Sequence, residues 1–383
     1  MANAKKQNIK SIFLFLFLIL FPFGQIIRIG IIHSIDIIAG IAAVYILSKK
    51  IKKPAWFGFL EAFLLIALFT WILGSLQFYR KEVFWGLMYL IRLAAYVYFI
   101  LYAVTFARDN KIKTLLSGSL IAVSVASALF GWVQYFTYPS IRPFLVWGWD
   151  EHLFRLVGTF LDPTFLGLII VFGLLAALNA FLEKRKKIFL FSSVFLLFSL
   201  AFTYSRASYL AFIVGIIALG VVRKKTKEVA ALLLGLTLLI FLLPTSGNTI
   251  LRVTREFSAI ARIDNYSEAI AIYKTSPLFG VGYNNLCLAK EETTGNLNLT
   301  SHACSGSDSS ILFLLATTGT AGAIVFSQAV YFASKAIDRK KVAFILPSAL
   351  ALLIHSIFSN SLVYPWVMGY FALLVATTLR REV

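Results

Sequence analysis

Charge is scarce in this 383-residue chain: 14% of its residues are charged, and 17 acidic residues stand against 36 Lys and Arg. A soluble globular domain carries nearer a quarter. Together with a hydrophobic fraction of 60%, this shortage excludes intrinsic disorder and an ordinary soluble enzyme. Cysteine occurs twice and histidine four times, too few for a disulfide scaffold or for a metal cluster read from spacing. No Asp-x-Asp pair occurs, so metal independence is expected of whatever chemistry the chain performs. Internal repeats, low-complexity stretches and a separate soluble segment are not seen. A cleavable signal peptide is not expected, because no small-residue cleavage site closes the first apolar run and Arg28 with a second run follows.

What the chain has in excess is apolar runs. Twelve lie near 11–30, 31–48, 55–78, 84–107, 114–137, 164–182, 188–204, 207–222, 229–245, 309–334, 342–358 and 360–379. Crossing a bilayer as a helix takes about 20 such residues. Basic clusters near 5–10, 49–53, 108–113, 184–187, 223–227, 335–341 and 380–381 separate the runs and all fall on one side if the runs alternate. That side then holds 24 of the 36 basic residues, with 11 opposite and Arg92 within a run. Basic loops face the cytoplasm, which puts both termini there. The expected fold is an all-α integral membrane protein of the cytoplasmic membrane, one polytopic domain over 1–383 with about 12 transmembrane helices. The first pair of runs can instead form a hairpin that does not cross fully. Topology thus explains the net charge of +19, so the expected partner is a lipid bilayer and not nucleic acid.

Two outer segments are too long to be turns: 138–163, with Arg142, Asp150, Glu151, His152, Arg155, Trp147 and Trp149, and 245–308. The second contains an amphipathic helix. Arg252, Arg255 and Arg262 fall within about 80° of arc at 100° per residue, with Val253, Phe257 and Ile260 nearly opposite. Such a helix either rests its arginines on lipid head groups or aims them at a phosphorylated ligand, the bidentate task guanidinium suits. Arg206, between two apolar runs, either snorkels to the interface or forms the cationic floor of an outward cavity. Asp36, Glu61 and Arg92 lie within runs and are expected to pair internally, a proton relay being the alternative. His33 and His355 are expected to be packed and hydrogen-bonded. Cys287 and Cys304 share the long outer segment, in a compartment that permits a disulfide.

Four blocks of sequence resemble the O-antigen ligase and O-antigen polymerase superfamily of bacterial envelope glycan assembly. Arg155-Leu-Val-Gly-Thr-Phe-Leu-Asp-Pro-Thr-Phe is similar to that family's arginine followed by Gly-x-x-x-Asn/Asp-Pro-Asn. Thr203-Tyr-Ser-Arg-Ala-Ser is similar to its Thr-x-Ser-Arg-Gly/Ala block. Arg262 with Pro277-Leu-Phe-Gly-Val-Gly resembles its arginine helix and Pro-x-x-Gly-x-Gly turn. Ser307-Asp-Ser-Ser-Ile-Leu, with Gly319 and Gly322 beyond, resembles its His-Asn-x-x-Leu start of a span.

The resemblance implies a GT-C-like glycosyltransferase whose active face is extracytoplasmic, needing no cofactor. It would move a glycan from an undecaprenyl-diphosphate carrier to a hydroxyl on a glycan or lipid-linked saccharide, inverting the anomeric centre. Arg206, Arg262 and Arg155 would hold the donor diphosphate, with Arg252 and Arg255 as further anion contacts. One departure matters: Asp308 stands where the family has its catalytic histidine, and His302 lies six residues upstream. Register favours Asp308 as the proton acceptor, with His302 as the second candidate. The competing readings are a transporter or flippase of lipid-linked glycans, and an inactive relative. The acceptor stays open among ligase, polymerase and protein-glycosylating types.

Overall fold

The computed structural model describes residues 11–78, 81–243, 249–294, 304 and 306–380, without the side chains of 249–261, 293 and 294. Among these residues each of the twelve apolar runs folds as a helix: α1 (Ile12–Leu20), α2 (Ser34–Leu47), α3 (Phe57–Phe78), α4 (Val83–Phe106), α5 (Asn110–Thr137), α6 (Pro163–Lys184), α7 (Lys187–Thr203), α8 (Arg206–Arg223) and α9 (Thr226–Leu242), followed after two polar helices by α12 (Ser310–Lys335), α13 (Val342–Phe358) and α14 (Pro365–Thr378). The polar pair is α10 (Thr249–Thr275) and α11 (Leu286–Thr294). A backbone surrounded by apolar side chains has no water to bond, and the helix satisfies it internally.

Seven of these helices are long and apolar enough to cross a membrane: α3, α4, α5, α6, α8, α12, and α13 taken from Arg339. This makes the chain a multi-pass helical membrane protein. Four further apolar helices are shorter, at 10–17 residues, and α9 has 17, so lengths support fewer full crossings than the twelve expected. The clearest departure is at the first pair of runs. Gly24, at φ 52°, ends the first helical segment just after Phe23. Residues 24–33 then fold back as a two-strand hairpin, β1 (Arg28–Ile29) with β2 (Ile32–His33), instead of extending either helix.

Short polar or basic connections make consecutive helices antiparallel. Asp109, Asp162, Ser205 and Ser309 each cap a helix start by accepting a backbone N–H two or three residues on. Arg185, Tyr204 and Lys224 take left-handed backbone conformations that turn one helix directly into the next. The core lies between α1, α4, α6 and α14, where Phe17, Phe21, Phe99, Phe172, Trp366 and Tyr370 are buried.

The polar segment after α10 is not an exposed loop throughout. Residues 280–290 are buried, with Val281, Tyr283 and Leu286 packed on Phe63, Leu90 and Phe313. Helix α12 is broken at Gly319, φ 64° and ψ −171°, and the glycine turn fills the break. Val281 and Gly282 donate their N–H groups to the carbonyls of Ala316 (2.9 Å) and Thr317 (3.2 Å), while the N–H groups of Thr320 and Ala321 donate to Pro277 (2.9 Å) and Leu278 (3.1 Å). Backbone groups freed by the break are thereby satisfied inside the protein. A Cβ on Gly319 would sit 2.2 Å from the Leu278 oxygen. Gly319→Ala is therefore expected to destabilise the protein by about 3 kcal/mol or more, from strain plus overlap. Gly118→Ala, in open space on α5, is the neutral control, and thermal midpoints of the two proteins in detergent compare them.

Candidate active site

The polar blocks meet at one end of the bundle. Helix α7 stops at Thr203, Tyr204 turns the chain at φ 52°, and the Ser205 hydroxyl caps α8 by accepting the Ser208 N–H at 3.3 Å. Arg206 is consequently the first residue of α8. It is exposed and has no hydrogen-bond or ion-pair partner among the described residues. A cation beside the positive end of a helix makes a strong local attraction for anions.

Arg155 is used differently. Its Nε donates to the Thr203 carbonyl at 3.0 Å and its Nη2 to the Tyr204 carbonyl at 3.1 Å, satisfying acceptors that the end of α7 leaves open. Its Nη1 lies 3.5 Å from His152 Nδ1. The guanidinium expected on the donor thus braces the elbow that presents Arg206. Burial, with Arg155 second, pushes His152 down to about 4, so its imidazole is neutral near pH 7. Seven residues beyond Arg155, Asp162 caps α6, accepting from Thr164 N at 2.6 Å and Phe165 N at 3.3 Å. Burial raises its carboxyl, against the pull of these N–H groups and of Arg155. The Asp-Pro-Thr sequence is a helix start, with Pro163 where no N–H is needed.

Side-chain hydroxyls join these two blocks. Ser208 Oγ lies 3.2 Å from the Thr164 carbonyl, 2.9 Å from Ser205 Oγ and 3.4 Å from Nε2 of the fully buried His355. A Cβ on Gly167 would fall 2.4 Å from Ser208 Oγ, so α6 and α8 touch here. His355 Nδ1 is 2.6 Å from Ser361 Oγ, and His355 is within electrostatic reach of Arg262.

Arg262, Asn265 and Tyr266 share one face of α10 at spacings of three and four. The Tyr266 hydroxyl donates to the Ile357 carbonyl at 2.6 Å, seating α10 on α13. Asn265 Oδ1 accepts the Asp308 N–H at 2.9 Å and the Ser307 hydroxyl at 3.0 Å. Asp308 is half-buried. Burial raises its carboxyl, the charges of Arg262 and Lys290 oppose this, and Asp150 and Asp162 add to it. Lys290 pairs with Glu268 at 3.3 Å and donates to the Gly306 carbonyl at 3.2 Å. Cys287 and Cys304 form a disulfide with Cα atoms 4.8 Å apart, which closes the same segment.

Arg155, Arg206, Arg262 and Asp308 therefore belong to blocks that are bonded to one another at a single end. The backbone of α10 runs through Arg252 and Arg255, but their side chains lie outside the described residues, as does His302 altogether. Among the intramembrane charges, Asp36 pairs with Arg92 at 2.9 Å and also binds His33 and Tyr96 at 3.0 Å each. Glu61 pairs instead with Lys53 and Tyr98. Among the described residues no three His, Cys, Asp or Glu side chains are placed to hold a metal ion.

Sequence reasoning missed Asn265 and Lys290, and it did not connect Asp150 or Asp162 with Asp308, whose carboxyl their charges influence. Asn265 had a signal, being three residues from Arg262 on the same helical face. Lys290 had none, because the packing that buries it is long-range.

No curated protein matches the chain. Residues 191–327 match the family model described as O-antigen ligase. That segment holds the Arg206 elbow, the Arg262 helix, the glycine turn, the disulfide and Asp308 with the start of α12. The match covers about a third of the chain and supports the resemblance to the O-antigen ligase and polymerase superfamily.

Proposed function

We propose that this protein transfers a glycan from an undecaprenyl-diphosphate carrier to an acceptor hydroxyl at the outer face of the cytoplasmic membrane, without a metal ion and with inversion. The observation that carries the reading is Arg206, exposed and unpartnered among the described residues at a helix start, in the same cluster of bonded blocks as Arg262 and Asp308. A lipid diphosphate needs cations at head-group depth, with an apolar path for its tail. Arg206 and Arg262 are assigned to the diphosphate and Arg155 to bracing the elbow.

In the transfer, the bond from the anomeric carbon to the diphosphate oxygen breaks, and the electron pair leaves with the diphosphate. Arg206 and Arg262 stabilise that growing charge, the role that preorganised cations play in other transfer reactions. The acceptor oxygen attacks from the opposite sugar face while its proton passes to the Asp308 carboxylate. The absence of an Asp-x-Asp pair supports metal independence. Basic clusters such as Lys184 to Lys187 and Arg223 to Lys225 lie at the far end from Arg206, which supports a cytoplasmic location for that end and for both termini.

The experiment is turnover in detergent, where transport has no meaning. The purified chain is given lipid-linked glycan extracted from a strain deleted for it, and release of undecaprenyl diphosphate is followed. Release that persists in EDTA is expected. No release in detergent, with movement of the same glycan lipid across proteoliposomes, would establish the flippase instead, and neither signal would mark an inactive relative.

A further inference from the structure

We infer that Asn265 is the positioning residue that fixes the backbone of Asp308 to the face of α10 that carries Arg262, so that α10 sets the cation and the proton acceptor from one face. This rests on the reading of Asp308 as the acceptor of the proton.

The inference begins with the kind of chain that carries Asp308. Residues 306–309 are irregular, between the disulfide at Cys304 and the first turn of α12. Irregular backbone does not fix a side chain through its own hydrogen bonds, so the direction of Asp308 depends on what its main chain is tied to. The tie is a single amide oxygen. Asn265 Oδ1 accepts both the Asp308 N–H, at 2.9 Å, and the Ser307 hydroxyl, at 3.0 Å, which uses both of its lone pairs. Ser307 Oγ in turn is 3.4 Å from the Ser309 N–H, and Ser309 caps α12. One side chain on α10 thus fixes the backbone of the acceptor residue and supports the helix start behind it.

The other end of the tie is equally fixed. Tyr266, beside Asn265, is anchored to the Ile357 carbonyl, and Glu268 is paired with Lys290. Asn265 is therefore held by neighbours on both sides and cannot follow Asp308 if that residue drifts. Arg262 lies one turn away on the same face, and its charge acts on the Asp308 carboxyl. The separation of cation and acceptor is then a property of one helix face, not of the irregular segment.

The charged and titratable groups whose electrostatics couple most to Asp308 are Arg262 and Tyr266 from α10, Lys290 from α11, Asp150 from the 138–163 segment and Asp162 from the start of α6. Two substitutions at Asn265 separate geometry from charge. Asn265→Ala removes the acceptor and frees Asp308 to move. Asn265→Asp keeps two acceptor lone pairs but adds a negative charge beside Asp308, which favours the protonated carboxyl.

The test uses the full-length chain in detergent with the lipid-linked glycan extract described above, reading kcat, KM for the donor and the pH dependence of kcat. Asn265→Ala is expected to lower kcat by about 10- to 100-fold, with KM within about twofold and the acid limb in place. Asn265→Asp is expected to keep kcat within about threefold at high pH and to move the acid limb up by about one pH unit. Thermal midpoint and Cys287–Cys304 disulfide content report on folding, and Asn265→Asp carries the test if the alanine variant does not fold. Wild-type kcat in Asn265→Ala, or an unmoved limb in Asn265→Asp, overturns the inference while a loss of activity in Asp308→Asn leaves the proton-acceptor reading standing. Full activity in Asp308→Asn overturns both.

Discussion

Arg262→Ala and Arg206→Ala are each expected to reduce glycan transfer by about 10²- to 10³-fold, the loss typical of removing one preorganised donor from a developing oxyanion. The two variants should differ in instructive ways. Arg206 is exposed and has no partner among the described residues, so its removal should leave the thermal midpoint in detergent unchanged. Its charge is not among the largest influences on Asp308, so the acid limb of the residual activity should move less than in Arg262→Ala. Arg262 does act on Asp308, lowering its carboxyl against burial. Without that charge the carboxyl rises further and holds its proton to higher pH, so the acid limb of Arg262→Ala should move upward. Arg155→Ala is a different experiment, since it leaves the Thr203 and Tyr204 carbonyls without their donor and should lower stability and activity together. Full transfer in both Arg206→Ala and Arg262→Ala would remove the basis for diphosphate binding at this end of the bundle.

The difference between Arg206 and Arg155 also shows what was legible in the sequence. Apolar run length and alternating basic clusters located the twelve helices, because helix formation among apolar side chains depends on composition that is local in the chain. The blocks at 155–165, 203–208 and 307–322 were legible as helix starts and turns for the same reason: caps and glycines act within a few residues. That both arginines were cations near a membrane boundary was visible; which of them keeps a free guanidinium was not, since this depends on where the end of α7 falls in space. The glycine turn could be read as a turn, but the break at Gly319 could not, and the hydrogen bonding between the two spans some forty residues and leaves no local trace. A hairpin of the first two runs that does not cross fully was open from sequence, but the strand pairing at 24–33 was hidden by its own isoleucines, which look like more of the same apolar run. Asp308 was found only by register against a family pattern, and its neighbours come from four separate elements.

Asp308→Asn is the substitution expected to reduce transfer most for the least structural change, by about 10²- to 10⁴-fold. The tie to Asn265 is made by the backbone N–H of residue 308, so the amide variant keeps it, and the volume is nearly unchanged. What is lost is the capacity to take a proton. The pH profile gives a second and independent reading. Burial holds the Asp308 carboxyl above the usual carboxylate value, so activity should fall as pH drops through that raised value, where the base becomes protonated. The residual activity of Asp308→Asn should lack this limb, because nothing at position 308 then titrates. A residue that merely oriented Arg262 would behave otherwise: the amide would cost little, and the limb would persist. His302→Ala provides the contrast, with a much smaller loss expected, since register places Asp308 where the family carries its imidazole. Should His302→Ala abolish transfer while Asp308→Asn keeps it, the proton is taken by the imidazole, and the Asp308 carboxylate is left with an orienting role alone.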